Sequence, residues 1–459
     1  MTSLLLNLPA EFFIALALFA VGAFVALNRL RTGMGVPMLA VLATVFFWYV
    51  GDVAYNDYYL YRRQFPASVI GRAWGQVALF LASFLGFLTI RKQGGEGQSQ
   101  IYELYRRGNY QDPEYQQVFR ICFQVCVAIW VIALFFALIQ NPSRIFGFLM
   151  PILGNRYDPF IRPQIGGGFS AVVSLVQYLY LLAGAGFGIV FALSNRPRLR
   201  AFAMFFCISV WSFYLLDRTR NSLVVVVLPC FLAWLFIRMR SSLPVKLLIL
   251  AAGVAIFEIW FSFVMEVRGL HKSVSSAFFE SGVSSVVESS ARHGGLNMFE
   301  ELCWITRFLD TGRITPSYGE RYFAEVVNFI PRGLWSEKPV IALDYAIARG
   351  QHFRNDGSVS ATISTGLIGQ GTTNFGIVFG PIFAAFLMSI WVRVLASIDA
   401  SRQSVKLPLF FLGIVLTFNM GRDISLLILY PFVFGYMAFV FMDNRRARNR
   451  IRGSLSVDV

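Results

Sequence analysis

The sequence has unusually few charged residues. Asp, Glu, Lys and Arg together make up only 14% of the chain, whereas 56% of the residues are hydrophobic. A soluble domain has about a quarter of its residues charged, because charged side chains cover its surface. The shortage therefore excludes an ordinary soluble globular protein and indicates a chain that places most of its surface in lipid.

Motifs of several enzyme classes are also absent. The sequence has no glycine-rich phosphate loop ending in Lys-Ser/Thr, no Gly-x-Ser-x-Gly elbow, no zinc-ligand spacing and no Asp-x-Asp pair. Its five cysteines form no disulfide or metal pattern, since four lie in apolar runs and Cys303 stands alone. A nucleotide-driven motor and a zinc hydrolase are disfavoured, and we expect neither a metal nor a cofactor.

What the sequence does have is a series of long apolar runs. Each is long enough to cross a hydrocarbon core of ~30 Å as a helix rising ~1.5 Å per residue. They predict an all-α polytopic membrane protein with about eleven transmembrane helices. The predicted spans are residues 12–28, 36–54, 69–90, 118–140, 170–193, 199–216, 222–237, 245–265, 374–396, 406–421 and 424–442.

Basic residues fall in every second connection, which sets the predicted orientation. Cytoplasmic loops of membrane proteins are enriched in Lys and Arg, so the arginine-rich tail from Arg445 onward should be cytoplasmic. We predict a multi-pass protein of the bacterial inner membrane with a periplasmic N-terminus and a cytoplasmic C-terminus. The net charge of +15 follows from this topology and indicates no nucleic-acid partner.

One outer connection is far longer than the others. The predicted division is transmembrane helices 1–8 in residues 1–265, a periplasmic loop in 266–373, helices 9–11 in 374–442 and a basic tail in 443–459. A loop of about a hundred residues is too long for a simple connector. Its apolar residues recur at helical spacing in two stretches, at 278–287 and 296–309, which predicts amphipathic helices over the outer mouth of the bundle.

Three arginines lie at very short outer turns. Arg218 and Arg220 separate predicted spans six and seven, and Arg422 separates spans ten and eleven. A cation near membrane depth is costly unless it faces a cavity or a partner. Because a planar guanidinium matches phosphate oxygens, a lipid-linked diphosphate would suit these positions. The alternative is that the side chains snorkel to the lipid headgroups.

The long loop carries all three histidines and two distinctive segments. His271, His293 and His352 titrate near neutrality and could accept a proton from a hydroxyl, although each could equally be a packing or surface residue. The segment NFIPRGLWSEKP spans residues 328–339, and GLIGQGTTNFG spans 366–376. The glycines of the second segment favour close helix packing over backbone contact with a ligand.

These two segments, with the turn DRTRNS, resemble the Wzy-type polysaccharide polymerases. The number of spans and the single large periplasmic loop late in the chain are similar as well. Arg156 and Gly167 also match a pattern of some members, in which ten residues separate an arginine from a glycine in a periplasmic loop.

The resemblance implies a GT-C-like bundle with one long, partly helical periplasmic loop. The implied activity is that of a metal-independent, inverting glycosyltransferase that polymerises repeat units linked to undecaprenyl diphosphate at the periplasmic face, for O-antigen, capsule or exopolysaccharide. Arg218, Arg220 and Arg422 would hold the diphosphate. Four residues are alternative bases for the acceptor hydroxyl, namely Glu266, His271, Glu337 and His352. Four others would bind substrate, namely Arg156, Arg332, Trp335 and Lys338.

The implied partners are glycans linked to undecaprenyl diphosphate, the lipid bilayer, a chain-length regulator of the Wzz type and a flippase of the Wzx type. Three other functions stay open. The first is an O-antigen-ligase-like GT-C transferase, and the second is a lipid-linked oligosaccharide flippase or transporter. The third is a structural subunit of an export complex. A transporter would normally show internal repeats and short loops on both sides, and the sequence shows no such repeat.

Overall fold

The computed structural model is helical throughout the residues that it describes. These are residues 8–55, 58–89, 97–108, 110–140, 142, 145–149, 170–217, 220–269, 298–328, 330, 334–335, 337–339, 343–350, 363–401, 406–425, 429–430, 432–433 and 435–437. Within those ranges there is no β-strand, only an isolated antiparallel bridge between Thr32 and Gln98.

We number seventeen described α-helices in chain order. The first nine are α1 (Ala10–Asn28), α2 (Gly35–Val45), α3 (Gly51–Tyr55), α4 (Tyr58–Gln64), α5 (Ala67–Thr89), α6 (Gln100–Arg107), α7 (Pro113–Gln140), α8 (Ile145–Leu149) and α9 (Ser170–Leu193). The others are α10 (Pro197–Asp217), α11 (Arg220–Ala233), α12 (Leu243–Gly269), α13 (Met298–Asp310), α14 (Glu320–Val327), α15 (Leu343–Ala348), α16 (Leu367–Ala400) and α17 (Leu407–Met420). One π-helical segment, Phe46–Val50, joins α2 to α3, and another, Trp234–Arg238, follows α11.

Seven described helices are long and apolar enough to cross a membrane. They coincide with predicted spans one to six and nine, which confirms an all-α membrane protein. The seventh, eighth and tenth predicted spans coincide with the shorter apolar helices Leu223–Arg238, Pro244–Phe257 and Leu407–Met420. The eleventh lies mostly outside the described residues, so the total of eleven, the orientation and the GT-C-like arrangement stay predictions.

Small residues let the central helices approach one another closely. Helix α9 packs against α7, α10 and α11. A Cβ atom on its Gly186 would overlap the Cys126 sulfur of α7, and one on Gly188 would lie 2.8 Å from Trp211 of α10 and from Cys230 of α11. Small residues at helix interfaces are the usual means of close packing in membranes, where van der Waals contact drives association. A second group of helices, α1, α2, α5 and α16, packs together, and α17 contacts both groups.

Helix α16 reverses direction at Gly376, whose φ is +80° and ψ is 180°. Residues on either side of the reversal lie against each other, since a Cβ atom on Gly371 would overlap the carbonyl oxygen of Gly380. In a continuous helix these glycines would be separated by about 13 Å at 1.5 Å per residue. The segment is therefore a helical hairpin with a short first arm, residues 367–375, and a long second arm, residues 377–400. The sequence placed a single span at 374–396, because hydropathy does not register a reversal at one glycine.

Helix α13 confirms one of the predicted amphipathic helices of the long loop. Its apolar residues Phe299, Leu302, Ile305 and Phe308 are buried, and the helix packs against α5 and α16. Its first turn is held by Asp52 of α3, which accepts hydrogen bonds from the backbone N–H groups of Phe299 (2.8 Å) and Glu300 (3.1 Å). The apolar stretch predicted at 278–287 lies outside the described residues.

Candidate functional site

The turn that follows α17 is fixed against the start of α16. The backbone N–H of Leu367 donates to the Gly421 carbonyl oxygen at 3.0 Å. Gly421 cannot carry a side chain, because a Cβ atom there would overlap Trp48 and Thr44 of the α2 region. Three separate parts of the chain therefore meet at this turn, and they set the position of the next residue, Arg422.

Arg422 is held through one edge of its guanidinium group. Its Nε donates to the Ser364 Oγ at 2.7 Å, and the side chain is half-buried. No residue within the described ranges accepts a hydrogen bond from Nη1 or Nη2. The charged end is thus oriented by the protein, and its two terminal nitrogens have no acceptor among the described residues; two such nitrogens match the spacing of a phosphate oxygen pair.

Asp423, in the turn after α17, accepts hydrogen bonds from the segment that precedes α16. Its Oδ1 accepts hydrogen bonds from the Thr365 backbone N–H at 3.0 Å and from the Thr365 hydroxyl at 3.1 Å. Burial raises the pKa of the Asp423 carboxyl, while the hydrogen bond from Ser364 and the charge of Arg422 act in the opposite direction. The carboxylate fixes residues 364–365 and offsets part of the Arg422 charge.

The first arm of the α16 hairpin begins at this turn. Its Ile368 N–H donates to the Tyr49 hydroxyl at 2.9 Å, and Gly366 has φ +77° with no room for a Cβ atom beside that hydroxyl. Because the first arm begins at this turn, the positive end of its helix dipole lies here and favours a negative charge nearby. Gly421 and Tyr49 already accept hydrogen bonds from the N–H groups of residues 367 and 368, so neither of these N–H groups is open to a ligand.

Two polar residues lie on α14, which packs against α16, and neither was predicted from the sequence. Arg321 is buried; its Nη2 forms an ion pair with Asp344, and its buried Nη1 has no partner in the described part of the chain. The Tyr322 hydroxyl is likewise buried without a described partner, and its ring lies 5.4 Å from that of Phe383. Burial raises the pKa of Tyr322, and the charge of Asp423 adds to the effect. No signal in the sequence marks Arg321, because only the fold shows which face of α14 is buried.

A second charged cluster, also unpredicted, lies between α13 and α15. Glu301 is buried and accepts two hydrogen bonds from Arg349, at 2.9 Å from Nη2 and 3.2 Å from Nε, together with a short one from the Tyr345 hydroxyl. Burial raises the pKa of Glu301, although Arg349 and Tyr345 oppose the shift. Both oxygens of the carboxylate are engaged, so this cluster joins the loop helices together.

The structure describes three predicted site residues of the NFIPRGLWSEKP segment. Lys338 is buried, and its Nζ donates to the carbonyl oxygens of Asn328 and Ile330, both at 2.9 Å. Trp335 is half-buried with its ring 6.3 Å from that of Phe323, and Glu337 is exposed. Two of the three N–H donors of the Lys338 ammonium group thus hydrogen-bond to residues of its own loop. The predicted roles of the three residues stay predictions.

The other predicted site residues have no described side chain. Arg220 lies at the start of α11 and Glu266 lies near the end of α12, but their side chains fall outside the description. Five more lie wholly outside the described residues, namely Arg156, Arg218, His271, Arg332 and His352. Among the described residues, no three His, Cys, Asp or Glu side chains are grouped so that they could hold a metal ion. Of the predicted residues, the structure gives Arg422 the clearest candidate role.

No protein-family model, curated protein or solved structure matches this chain. Its function is therefore inferred from its own residues.

Proposed function

We propose that the protein is a membrane glycosyltransferase that polymerises oligosaccharide repeat units carried on undecaprenyl diphosphate, as its resemblance to the Wzy-type polymerases implies. The observation that carries the proposal is Arg422, a guanidinium group oriented by Ser364 with Nη1 and Nη2 open among the described residues. An arginine fixed in this way at the end of an apolar helix suits a diphosphate that lies at the membrane surface.

In the proposed reaction a hydroxyl oxygen of the acceptor sugar attacks the anomeric carbon of the donor glycan. The bond from that carbon to the diphosphate oxygen breaks, and undecaprenyl diphosphate leaves with the bonding electrons. Negative charge grows on the leaving oxygen in the transition state, so a cation already in position lowers the barrier without reorganising. Arg422 supplies this charge, and the hydroxyl proton passes to a base of the long loop.

Arg218 and Arg220 are proposed to join Arg422 at the diphosphate. Helix α11, which begins at Arg220, packs against α17, which ends just before Arg422. The predicted topology puts the start of α11 and the end of α17 on the same, outer side of the membrane. Three guanidinium groups there would balance the two negative charges of the bound diphosphate and the further charge that develops on the leaving oxygen.

The acceptor is proposed to bind under the loop helices. The base remains one of four residues, namely Glu266, His271, Glu337 and His352. Trp335 offers an aromatic ring to a sugar face, and Arg156, Arg332 and Lys338 are the proposed contacts for the glycan or its second diphosphate. To these we add Arg321, because its Nη1 is buried and has no partner among the described residues.

A lipid-linked oligosaccharide transporter is the second candidate, and the α16 hairpin favours it. Transporters often place their substrate beside a helix that is interrupted within the membrane, as α16 is at Gly376. The long outer loop favours the polymerase, since chemistry at the outer face needs residues there. An O-antigen-ligase-like transferase would share the donor site and differ only in its acceptor.

One experiment separates these functions. The purified protein in proteoliposomes is given a polyprenyl-diphosphate-linked repeat unit without added metal, and products are resolved by gel and mass spectrometry. A ladder spaced by one repeat unit supports the polymerase, and its loss in Arg422→Ala and Arg218→Ala at unchanged expression locates the diphosphate. Substrate that crosses the bilayer unaltered supports the transporter. Transfer of the glycan only to an added acceptor that is not carried on polyprenyl diphosphate, such as lipid A, supports the ligase.

A further inference from the structure

Helix α14 buries charged residues and exposes large apolar ones. Two of its three charged residues, Arg321 and Glu325, are buried, at 6% and 4% exposure, and the third, Glu320, is exposed. Phe323 and Val326 are 50% and 47% exposed. A surface helix in water shows the opposite pattern, with apolar residues inside and charges outside. The helix therefore turns Arg321 and Glu325 toward the protein and Phe323 and Val326 away from it.

In water this arrangement would be costly. Exposing an apolar side chain to water costs about 25 cal/mol per Å² of surface, and burying charged groups adds a desolvation penalty that their partners must offset. Arg321 has Asp344 as an ion-pair partner, and the Tyr430 hydroxyl donates to the Val326 carbonyl oxygen at 2.5 Å. These contacts hold α14 with Arg321 inward, so its outward Phe323/Val326 face is a fixed feature of the fold.

The exposed face of α14 continues the surface of a membrane-spanning helix. Helix α14 packs against α16, a helix long and apolar enough to cross a membrane. On α16, Val378 and Phe379 directly follow the Gly376 reversal and are 57% and 71% exposed. The Tyr322 ring of α14 lies 6.3 Å from that of Phe375, just before the reversal. The two exposed apolar surfaces thus meet at the reversal.

The segment after α14 extends the same surface. Leu334 is 83% exposed, and the Trp335 ring lies 6.3 Å from that of Phe323. Tryptophan is typical of the membrane–water interface, where its ring is in the apolar region and its N–H reaches polar groups. An apolar face flanked by an interfacial tryptophan is the pattern of a helix that lies in the plane of a membrane.

We propose that lipid covers the Phe323/Val326 face of α14, so that this helix of the long loop lies in the headgroup and upper acyl region of the outer leaflet. The helix then lies in the membrane surface and separates the lipid from the polar interior that contains Arg321. This placement does not depend on the reaction proposed above. It would hold equally in a polymerase, a ligase or a transporter.

The test uses spin labels at single added cysteines in proteoliposomes of phosphatidylethanolamine and phosphatidylglycerol. Phe323→Cys and Val326→Cys report the apolar face, and Glu320→Cys, at an exposed position of the same helix, is the matched control. Cys122, the one native cysteine that is not fully buried, is replaced by Ser, and this background without an added cysteine measures residual labelling. Accessibility is measured by power saturation with oxygen, which concentrates in lipid, and with a water-soluble nickel chelate.

The proposal predicts that labels at 323 and 326 collide several-fold more with oxygen than with the chelate, and that the label at 320 shows the lower ratio of an aqueous site. Equal chelate access at all three positions would mean that the face is in water and would overturn the proposal. Low access to both reagents at 323 and 326 would mean that protein covers the face and would also overturn it. Val326→Cys is a small change, so it reports even if Phe323→Cys fails to fold.

Discussion

Gly371 and Gly380 lie backbone against backbone, although they belong to opposite arms of the α16 hairpin, on either side of the reversal at Gly376. A Cβ atom on either residue would overlap the main chain of the other arm. This contact makes α16 a hairpin and brings the first residues of its short arm to the turn that holds Arg422. The geometry of the candidate site around Arg422 therefore depends on two glycines that lie outside the site.

The first prediction concerns this contact. Gly371→Ala and Gly380→Ala should each lower stability by about 1–3 kcal/mol, the usual cost of overpacking, because backbone must move to admit the methyl group. Gly75→Ala is the control, since nothing lies within 4 Å of its Cβ position in α5. Thermal unfolding in detergent measures the effect. A melting temperature as high in Gly380→Ala as in Gly75→Ala would contradict the hairpin.

The transmembrane helices could be predicted from the sequence because their signal is local. Each apolar run indicates by its own composition that the segment lies in lipid. The boundaries of α1, α5 and α9 were predicted within a few residues. The α16 hairpin could not be predicted in this way. Its signal is one φ angle at Gly376 together with contacts between residues that hydropathy treats as one continuous run.

The candidate site was predictable only in part for a similar reason. Arg422 was identified because a charge beside an apolar run is conspicuous in any single sequence. Its holder Ser364 and the buried Arg321 were not, since nothing local distinguishes them from surface residues. Partners such as Glu301 and Arg349 are brought together by the fold of the loop alone.

The second prediction tests how Arg422 is positioned. Ser364→Ala removes the acceptor of the Arg422 Nε, and a net hydrogen-bond contribution of about 1–1.5 kcal/mol corresponds to a roughly ten-fold loss of kcat/KM for the lipid-linked donor. Ser364→Thr keeps the hydroxyl and should restore most of the activity. Initial rates of ladder formation give both values. Equal rates in the Ala and Thr variants would show that Ser364 does not position the guanidinium group.

The third prediction concerns the attachment of the loop to the bundle. Asp52→Ala leaves the N–H groups of Phe299 and Glu300 and the Tyr61 hydroxyl without their acceptor. Each buried unpaired group costs about 1–3 kcal/mol, so α13 should detach more often. Hydrogen exchange of residues 298–310 should accelerate at least ten-fold. Tyr61→Phe removes only one of these bonds and should have a smaller effect; unchanged exchange in Asp52→Ala would refute the capping role.

The fourth prediction is a pH dependence from Glu301. Its folded-state pKa is raised above the ordinary value by burial, so the folded state binds the proton more tightly than the unfolded state does. The resulting stabilisation is complete below the ordinary pKa and is lost as the pH rises through the raised pKa. Glu301→Gln should flatten this part of the profile of melting temperature against pH.

Replacing Glu301 should also lower stability at pH values above the raised pKa, because there the Arg349 guanidinium loses its carboxylate partner. Glu320→Gln, at an exposed position, is the control and should leave the profile unchanged. A profile for Glu301→Gln that kept the wild-type slope would assign the pH dependence to other groups.

The most direct test of the central claim is release of the polyprenyl diphosphate leaving group under single-turnover conditions, with enzyme in excess over a lipid-linked repeat-unit donor and with acceptor supplied. Arg422→Gln should slow release by a factor of about a hundred or more, as expected when a cation that stabilises transition-state charge is lost. Arg313→Gln is the matched control, because Arg313 is exposed and lies over the Phe308 ring, 5.5 Å from its centre. Release at the wild-type rate in Arg313→Gln and a large loss in Arg422→Gln would support the account. Equal rates in the two variants, or no release by the wild-type protein, would contradict it.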